Sequence, residues 1–214
     1  MVVVSINVGR PRLVQSGGKS VRTSIYKDPV ASPVRVGTLN LDGDEQSDLS
    51  VHGGVHKAVY VYPSEHYAYW REQLPDMALP WGVFGENLTT TGLEETAVHI
   101  GDRLTIGTAE FVVTQPRLPC FKLGIRFGRL DMVKRFQQSG HSGFYLAVAR
   151  EGVVAAGDTI RMTKGGDAVS VADIVGLYTS RHPDQALLRR ASQLAALPES
   201  WREHFRSRIV EPPS

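Results

Sequence analysis

The chain contains a single cysteine, Cys120, within the sequence Gln-Pro-Arg-Leu-Pro-Cys-Phe-Lys-Leu. Prolines restrict φ and lack an amide donor, so Pro116 and Pro119 predict a presented loop here rather than the interior of a helix or sheet. Arg117 and Lys122 flank the thiol and would stabilise its thiolate, the form that binds metals and attacks electrophiles. The segment therefore predicts a metal ligand or a nucleophile; the alternative is a small buried hydrophobic residue.

A second cluster of polar side chains surrounds two glycines in the sequence His-Gly-Gly-Val-His-Lys. Two histidines four residues apart would share one helix face and bind zinc, but the glycine pair interrupts any helix between His52 and His56. No glutamate stands between these histidines as in a metalloprotease motif, so the pattern argues against a zinc site, which is kept as a minor alternative. Gly53 and Gly54 instead allow a planar ligand to approach the backbone. His52 and Lys57 would then act as donors; the alternative is a tight surface turn.

The first forty residues carry a local excess of positive charge. They hold a net +5, from Arg10, Arg12, Lys19, Arg22, Lys27 and Arg35 against Asp28. The piece Gln-Ser-Gly-Gly-Lys-Ser resembles half of a phosphate-binding loop but lacks its leading glycine, which rejects a nucleotide triphosphatase. A glycine pair beside Lys19 and Arg22 would still hold an oxyanion through backbone amides and cations. A flexible basic hairpin tip is the alternative.

The composition of the 214-residue chain indicates a folded core with little net charge. Hydrophobic residues make up 42% of the chain and the net charge is +2, which argues against disorder and nucleic-acid binding. Neither an export signal nor a membrane span is expected, because no run of about eighteen apolar residues occurs. One cysteine excludes an internal disulfide framework and a multi-cysteine metal centre, and it favours the cytoplasm.

The secondary structure that positions these candidate site residues is indicated by short apolar runs, which are separated by turns that contain Gly, Pro and Asp. Their β-branched and aromatic residues predict strands over residues 2–8, 32–39, 58–62, 98–100, 103–106, 110–114, 143–149 and 159–162. Helices are predicted over residues 64–73 and 130–138. Many short strands with few helices predict a mainly β (α+β) fold, either a β-barrel or a folded-over sheet.

The pattern changes beyond residue 163. Ser170 to Asp173 matches a capping box, Pro183 suits the first turn of a helix running to residue 196, and residues 199–209 have helical spacing. We therefore predict a β domain over residues 1–163 and a three-helix segment over residues 164–214. The segment is expected to be a packed cap, because its positive and negative charges nearly balance and a DNA-binding surface would be one-sided.

These blocks together resemble the MOSC domain, named for the C-terminal part of molybdenum-cofactor sulfurases. The matching pieces are His-Gly-Gly-x-x-Lys-Ala-Val from His52, Gly-Glu-Asn-Leu from Gly85, the proline and cysteine block ending at Leu123, and Ser-Gly-Phe-Tyr from Ser142. The helical tail is similar to the stand-alone bacterial YiiM-like branch. Val55 departs from the proline that many members carry after the glycines, which leaves the turn less rigid.

The resemblance implies a MOSC-type β-barrel that binds molybdenum cofactor, with Cys120 as a metal ligand. Thiolate is a soft ligand that suits such a centre. The residues that the resemblance assigns to the pterin and its phosphate are Arg117, His52, Gly53, Gly54 and Lys57. Lys19, Arg22 and Lys122 are added to the cofactor contacts because of their charge. The cofactor's phosphate would give the basic N-terminal segment a partner.

The YiiM-like branch is associated with the reduction of N-hydroxylated bases and related N-oxygenated compounds to amines. This implies a small N-hydroxylated substrate, molybdenum cycling between Mo(IV) and Mo(VI), catalysis at Cys120, and His52 and Glu86 as candidate proton donors. No iron–sulfur cysteine cluster or dinucleotide glycine fingerprint is visible, so a separate flavin or iron–sulfur reductase is expected to supply electrons.

Two alternatives use the same sequence features. In the first alternative, the chain is a carrier that holds the cofactor or a persulfide on Cys120 and has no reductase activity. Its helical tail would alternatively dock a partner or a second copy, so a homodimer is possible. A persulfide on Cys120 without molybdenum, together with no turnover, would favour the carrier.

Overall fold

The computed structural model describes residues 1–47, 53–166 and 168–210, and its main element is an eight-stranded mixed sheet. The strands of this sheet are β1 (Val2–Val8), β4 (Asp28–Val30), β6 (Val59–Pro63), β7 (Leu88–Thr91), β8 (Arg103–Ile106), β9 (Ala109–Pro116), β10 (Phe144–Arg150) and β12 (Ile160–Thr163). They lie in the order β12-β8-β9-β10-β6-β7-β1-β4. Neighbours are antiparallel except β6 and β7, which are parallel.

Two smaller ribbons complete the β structure of the described residues. β2 (Arg12–Ser16) pairs with β3 (Lys19–Thr23), and β5 (Val34–Val36) pairs with β11 (Gly152–Val154). The mainly β fold is thus confirmed, but the predicted closed barrel is wrong. The N-terminal residues meet the start of β12 at one isolated bridge, Val2 to Thr159, and through three further backbone hydrogen bonds, but β1 and β12 do not form a continuous ladder that closes the sheet.

The described residues also form six α-helices. They are α1 (His66–Gln73), α2 (Phe121–Phe127), α3 (Met132–Ser139), α4 (Val171–Thr179), α5 (Gln185–Ala191) and α6 (Glu199–Arg206). The predictions of α1 and α3 are confirmed within two residues. The predicted strand over residues 98–100 is wrong, because this segment turns at Gly101 and makes only an isolated bridge from His99 to Ser170.

Helix α2 was not predicted, since the prolines before it indicated a continuous loop. Proline excludes only the helix interior, and the chain is already extended at Cys120, with φ −117° and ψ 173°, so the helix begins at the next residue. It ends at Gly128, whose φ of +62° is accessible to glycine at little cost. The cysteine therefore lies between the end of β9 and a short helix.

The C-terminal helices share the main hydrophobic core with the sheet. Ser170 forms the predicted capping box with Asp173 at the start of α4. Ile174, Leu188 and Phe205 are buried in the same cluster as strand residues of β1, β8 and β9. The domain boundary at residue 163 stays a prediction. Among the described residues, no helix is long and apolar enough to cross a membrane.

Candidate functional site

A cleft of about 680 Å³, counting the space open to solvent, lies where β9, α2 and the glycine segment meet. Its described lining combines one thiol, several cations, two tyrosines and polar backbone. The principal side chains are Ser24, Lys27, Asp44, Ser47, Lys57, Tyr60, Asn87, Arg117, Cys120, Lys122 and Tyr145, with Gly53 and Gly85. Five predicted site residues, Gly53 and Lys57 from one segment and Arg117, Cys120 and Lys122 from another, converge here.

Cys120 lies on the cleft because it follows the end of β9, which borders the cleft. β9 ends at Pro116, and the amide of Arg117 still donates to the Gly143 carbonyl oxygen at 3.3 Å beside β10. Cys120 follows in extended conformation, and its carbonyl oxygen accepts from the amide of Leu123 at 2.9 Å in the first turn of α2. The cysteine is partly buried and lines the cleft. A thiol in this position is available to a bound ligand.

Arg117 is a buried cation whose hydrogen-bonding capacity is not fully used. Its guanidinium lies over the rings of Tyr60 and Phe136, with centroid distances of 5.0 and 5.1 Å. The Nη1 atom is buried and has no hydrogen-bond partner within the described structure. Burial alone would lower the pKa of Arg117, but the hydroxyl groups of Tyr60 and Tyr145 and the Cys120 thiol raise it above its usual value. The guanidinium therefore stays charged.

The glycine segment places Lys57 on the cleft. Gly53 and Gly54 have φ values of +130° and +83°, which side-chain-bearing residues rarely adopt. They lead into a short 3₁₀ turn, Val55–Lys57, that presents the lysine. Burial lowers the pKa of Lys57. His52, the other predicted donor of this segment, lies outside the described residues.

The base of the cleft contains an ion pair that sequence reasoning did not assign. Lys27 donates to Asp44, and both side chains are almost fully buried. The Asp44 carboxylate also accepts from the Gly9 amide and from Asn87 Nδ2, each at 2.9 Å. Burial lowers the pKa of Lys27, and the Asp44 carboxylate opposes that shift. The N-terminal charge excess pointed to Lys27, but no sequence signal indicated its buried partner.

Lys122 and Glu86 occupy different depths. Lys122 lines the cleft and donates to Ser47 Oγ at 3.0 Å. Glu86 is not a lining residue, although its sequence neighbours Gly85 and Asn87 are. Its carboxylate accepts from the Tyr67 hydroxyl, from Thr89 Oγ1 at 3.0 Å, and from the amides of Gly82 and Phe84 at 2.8 and 3.1 Å. Burial raises the pKa of Glu86 despite these bonds.

The structure does not bring Lys19 and Arg22 to the cleft. Both are exposed on β3, Lys19 beside the turn of the β2–β3 ribbon, and neither is among the lining residues. Lys19 is four residues before Thr23, the first cleft residue of this segment, and four residues of strand span about 14 Å. The strand leaves the cleft in the direction of the ribbon tip.

The described donors of the cleft fit a molybdenum cofactor. Its phosphate would satisfy the unpaired Nη1 atom of Arg117, because a buried guanidinium donor normally has a partner. The Oγ atom of Ser24, also on the cleft, is likewise buried without a hydrogen-bond partner in the described residues. Cys120 provides a soft sulfur ligand beside these donors. The site therefore offers both a metal ligand and an anion cradle.

Comparison with known proteins assigns the chain to a family. The model of the MOSC domain matches residues 48–161, just over half of the chain. The chain belongs to the MOSC domain family. A second match, to the YiiM-like 3-alpha helix domain, covers residues 169–210 and includes α4 to α6. The family is associated with molybdenum cofactor, in agreement with the donors of the cleft.

Three similar proteins extend this MOSC assignment. The uncharacterised protein YflK of Bacillus subtilis is 41% identical over 95% of this chain and 92% of its own length. The crystal structure of YiiM from Geobacillus stearothermophilus is 38% identical, has a TM-score of 0.81, and covers 98% of this chain and 99% of that one. A Gibberella moniliformis protein named "Reductase" is 32% identical over 90% of this chain, which spans only 35% of that protein.

The helical segment of the MOSC protein contacts the site through a buried hydrogen bond. Trp201 of α6 donates from Nε1 to Gln115 Oε1 at 2.5 Å, and Gln115 Nε2 donates to the His56 carbonyl oxygen at 3.3 Å. Thr114 Oγ1 donates to the same carbonyl at 2.7 Å. α6 thus supports the 3₁₀ turn that presents Lys57.

We expect Trp201→Phe to loosen that turn. The substitution keeps an aromatic ring but leaves the buried Gln115 oxygen without its donor, which costs about 1–3 kcal/mol of unfolding free energy. Denaturant unfolding should show this loss, and hydrogen–deuterium exchange should accelerate in residues 53–58. Tyr178→Phe is the matched control, because Tyr178 packs against Trp201 at 5.2 Å yet remains partly exposed. Unchanged exchange in Trp201→Phe would contradict the supporting role.

Proposed function

We propose that this MOSC protein binds molybdenum cofactor in the cleft and reduces N-hydroxylated bases and related N-oxygenated compounds to amines. The observation that supports this most directly is the pairing of a thiol, Cys120, with a buried cation, Arg117, whose Nη1 has no partner in the described structure. A soft ligand beside an anion donor suits a metal–sulfur centre that carries phosphate. The "Reductase" relative supports an oxidoreductase.

Each cleft residue has a distinct role in this proposal. When bound, the cofactor supplies a two-electron Mo(IV)/Mo(VI) couple. Cys120 binds the metal through its thiolate, while Arg117, Lys57 and Lys122 bind the pterin and phosphate. Gly53 and Gly54 let a planar ring approach the backbone, since a ligand there meets no side chain on either residue.

The reaction consumes protons as well as electrons. An N-hydroxylamine takes up two electrons and two protons and yields an amine and water. Glu86 and His52 are the proposed proton donors. The raised pKa of Glu86 favours its protonated form, although its carboxylate lies outside the lining of the cleft.

The remaining components lie outside the chain. The electrons are proposed to come from a separate flavin or iron–sulfur reductase, and the reaction is placed in the cytoplasm. A persulfide or cofactor carrier without turnover is the alternative use of Cys120, and a homodimer stays a prediction.

The decisive experiment uses wild-type protein produced in cells that make the cofactor. Molybdenum by elemental analysis and pterin by fluorescence are expected at about one per chain. Reduced methyl viologen should then support reduction of an N-hydroxylated base such as benzamidoxime, whereas NADH alone should not. Bound cofactor with no turnover on a panel of such substrates would favour the carrier. Absence of both metal and pterin from this protein would overturn the proposal.

A further inference from the structure

Two arginines from separate parts of the chain meet at one tyrosine ring. The guanidinium of Arg12, on β2, lies 3.6 Å from the ring centroid of Tyr26, and that of Arg126, on α2, lies 4.8 Å from the same centroid. Neither guanidinium makes a hydrogen bond or an ion pair with a described residue, and the Nε atom of Arg126 is buried without a partner. Two like charges brought together without an acceptor indicate an anion site.

Both arginines lie on sides of their elements that border the cleft. Arg12 is the cross-strand partner of Thr23, so the two side chains lie on one face of the β2–β3 ribbon, and Thr23 lines the cleft. Arg126 follows Lys122 by one helical turn, and residues four apart share a helix face. Lys122 and both sequence neighbours of Tyr26 line the cleft as well. The two guanidinium groups therefore lie at the edge of the cleft.

The charges around Arg126 favour a bound anion of high charge. Burial lowers the pKa of Arg126, and the charge of Arg12 acts in the same direction. The Tyr26 ring and the carboxylates of Asp28 and Glu86 oppose this shift, but neither carboxylate forms an ion pair with Arg126. A phosphate monoester suits the site, because its terminal oxygens accept from two planar guanidinium forks and its double charge offsets both cations. A carboxylate would offset only one.

The arginine pair is separate from the groups assigned to the cofactor. The cofactor's phosphate is assigned to Arg117, which has its own unpartnered nitrogen. Arg126 lies about 9 Å along α2 from Cys120, at about 1.5 Å of rise per residue. An N-hydroxylated base that reacts beside Cys120 needs an extension of comparable length to reach the two arginines, and a ribose phosphate provides one.

We propose that Arg12 and Arg126 bind the phosphate of the substrate, so that N-hydroxylated nucleotides are preferred to the corresponding nucleosides and free bases. This rests on the proposed function, from which the reacting group of the substrate is taken. The phosphate site adds no chemical step. It supplies binding energy at the end of the substrate that does not react, and this energy holds the N-hydroxyl group in position beside Cys120.

Removal of both arginine charges tests the phosphate site. Arg12→Gln/Arg126→Gln is compared with Arg103→Gln/Arg161→Gln, which removes the same charge from exposed arginines of β8 and β12 that do not line the cleft. Cofactor-loaded protein is assayed with reduced methyl viologen on N6-hydroxyadenosine and on its 5′-monophosphate. We expect the wild type and the control to prefer the nucleotide at least about tenfold in kcat/KM, because charge-assisted hydrogen bonds are strong. The Arg12→Gln/Arg126→Gln variant should lose this preference.

Several outcomes would overturn the phosphate site. Equal kcat/KM for the two compounds in the wild type is one, and an equal loss with both compounds in Arg12→Gln/Arg126→Gln is another. A lower molybdenum or pterin content in that variant would assign the arginines to the cofactor instead. Inorganic phosphate that competes with the nucleotide at equal affinity would show a site for free phosphate and overturn the substrate assignment.

Failure of the proposed function is distinguishable from failure of the phosphate site. If cofactor-loaded wild type reduces neither these two compounds nor benzamidoxime, the proposed function fails. The phosphate site is then judged by titration calorimetry, in which the wild type should bind the nucleotide at least about tenfold more tightly than the nucleoside. Equal binding of the nucleotide by the wild type and by Arg12→Gln/Arg126→Gln would overturn the site.

Discussion

Replacing Cys120 by serine is expected to remove molybdenum from the protein and to lower reductase turnover by more than about a hundredfold. Loss of groups that merely support a metal ligand already costs ten- to a hundredfold, and loss of the ligand itself costs more. Serine is nearly isosteric but is a hard oxygen donor with little tendency to ionise, so it does not replace a thiolate on a soft centre. Elemental analysis and viologen-linked turnover measure both effects.

The fold should survive this substitution. The side chain of Cys120 makes no hydrogen bond among those described, and it is partly exposed, so the unfolding free energy should change by less than about 0.5 kcal/mol. Leu130→Ser, at a side chain that is 98% exposed in the turn between α2 and α3, is the control and should keep metal and activity. Retention of both molybdenum and turnover in Cys120→Ser would refute the ligand role.

Local pattern was sufficient to predict much of the sheet. β1 and β8 have the predicted bounds, because their apolar residues alternate between polar ones or form a continuous β-branched run. β4 was missed, since Pro29 argues against a strand; β4 lies at the sheet edge, where proline is tolerated. Closure of the sheet depends on pairing between β1 and β12, which are distant in sequence and have no local signal.

The residues that the cysteine and glycine motifs predicted were placed more successfully than the cations that were chosen from the net charge of the N-terminal segment. Cys120, Arg117, Lys57 and Lys122 do converge on one cleft, although their chemical roles stay proposals. Charge counting along the N-terminal segment did not distinguish Lys27, which turns into the cleft, from the exposed cations of the ribbon. Strand direction and burial decide that difference, and neither is contained in the charge of a segment.

Asp44→Asn is expected to be among the most destabilising single substitutions in the cleft, at about 3–5 kcal/mol of unfolding free energy. Asp44 is 2% exposed and Lys27 is 7% exposed, so removal of the carboxylate leaves a buried ammonium group without its counter-charge. An asparagine oxygen still accepts one hydrogen bond but brings no charge. Urea unfolding at pH 7 measures the loss. The control is Glu110→Gln, which breaks an exposed pair with Arg150 and should cost less than about 1 kcal/mol.

The pH dependence of this variant identifies the cause. Burial lowers the pKa of Lys27 in the folded protein and Asp44 opposes that shift, so the pKa should fall further in Asp44→Asn. The unfolded chain has a lysine pKa of about 10.4, above the lowered pKa of Lys27 in the folded protein. Between these two pKa values the unfolded chain binds more protons than the folded protein, so the unfolding free energy rises with pH. Asp44→Asn should regain stability from pH 7 to pH 10 more steeply than the wild type, and Lys27→Met/Asp44→Asn should not. A parallel pH profile for wild type and Asp44→Asn would show that the lost stability comes from the bonds to Gly9 and Asn87 instead of from the stranded charge.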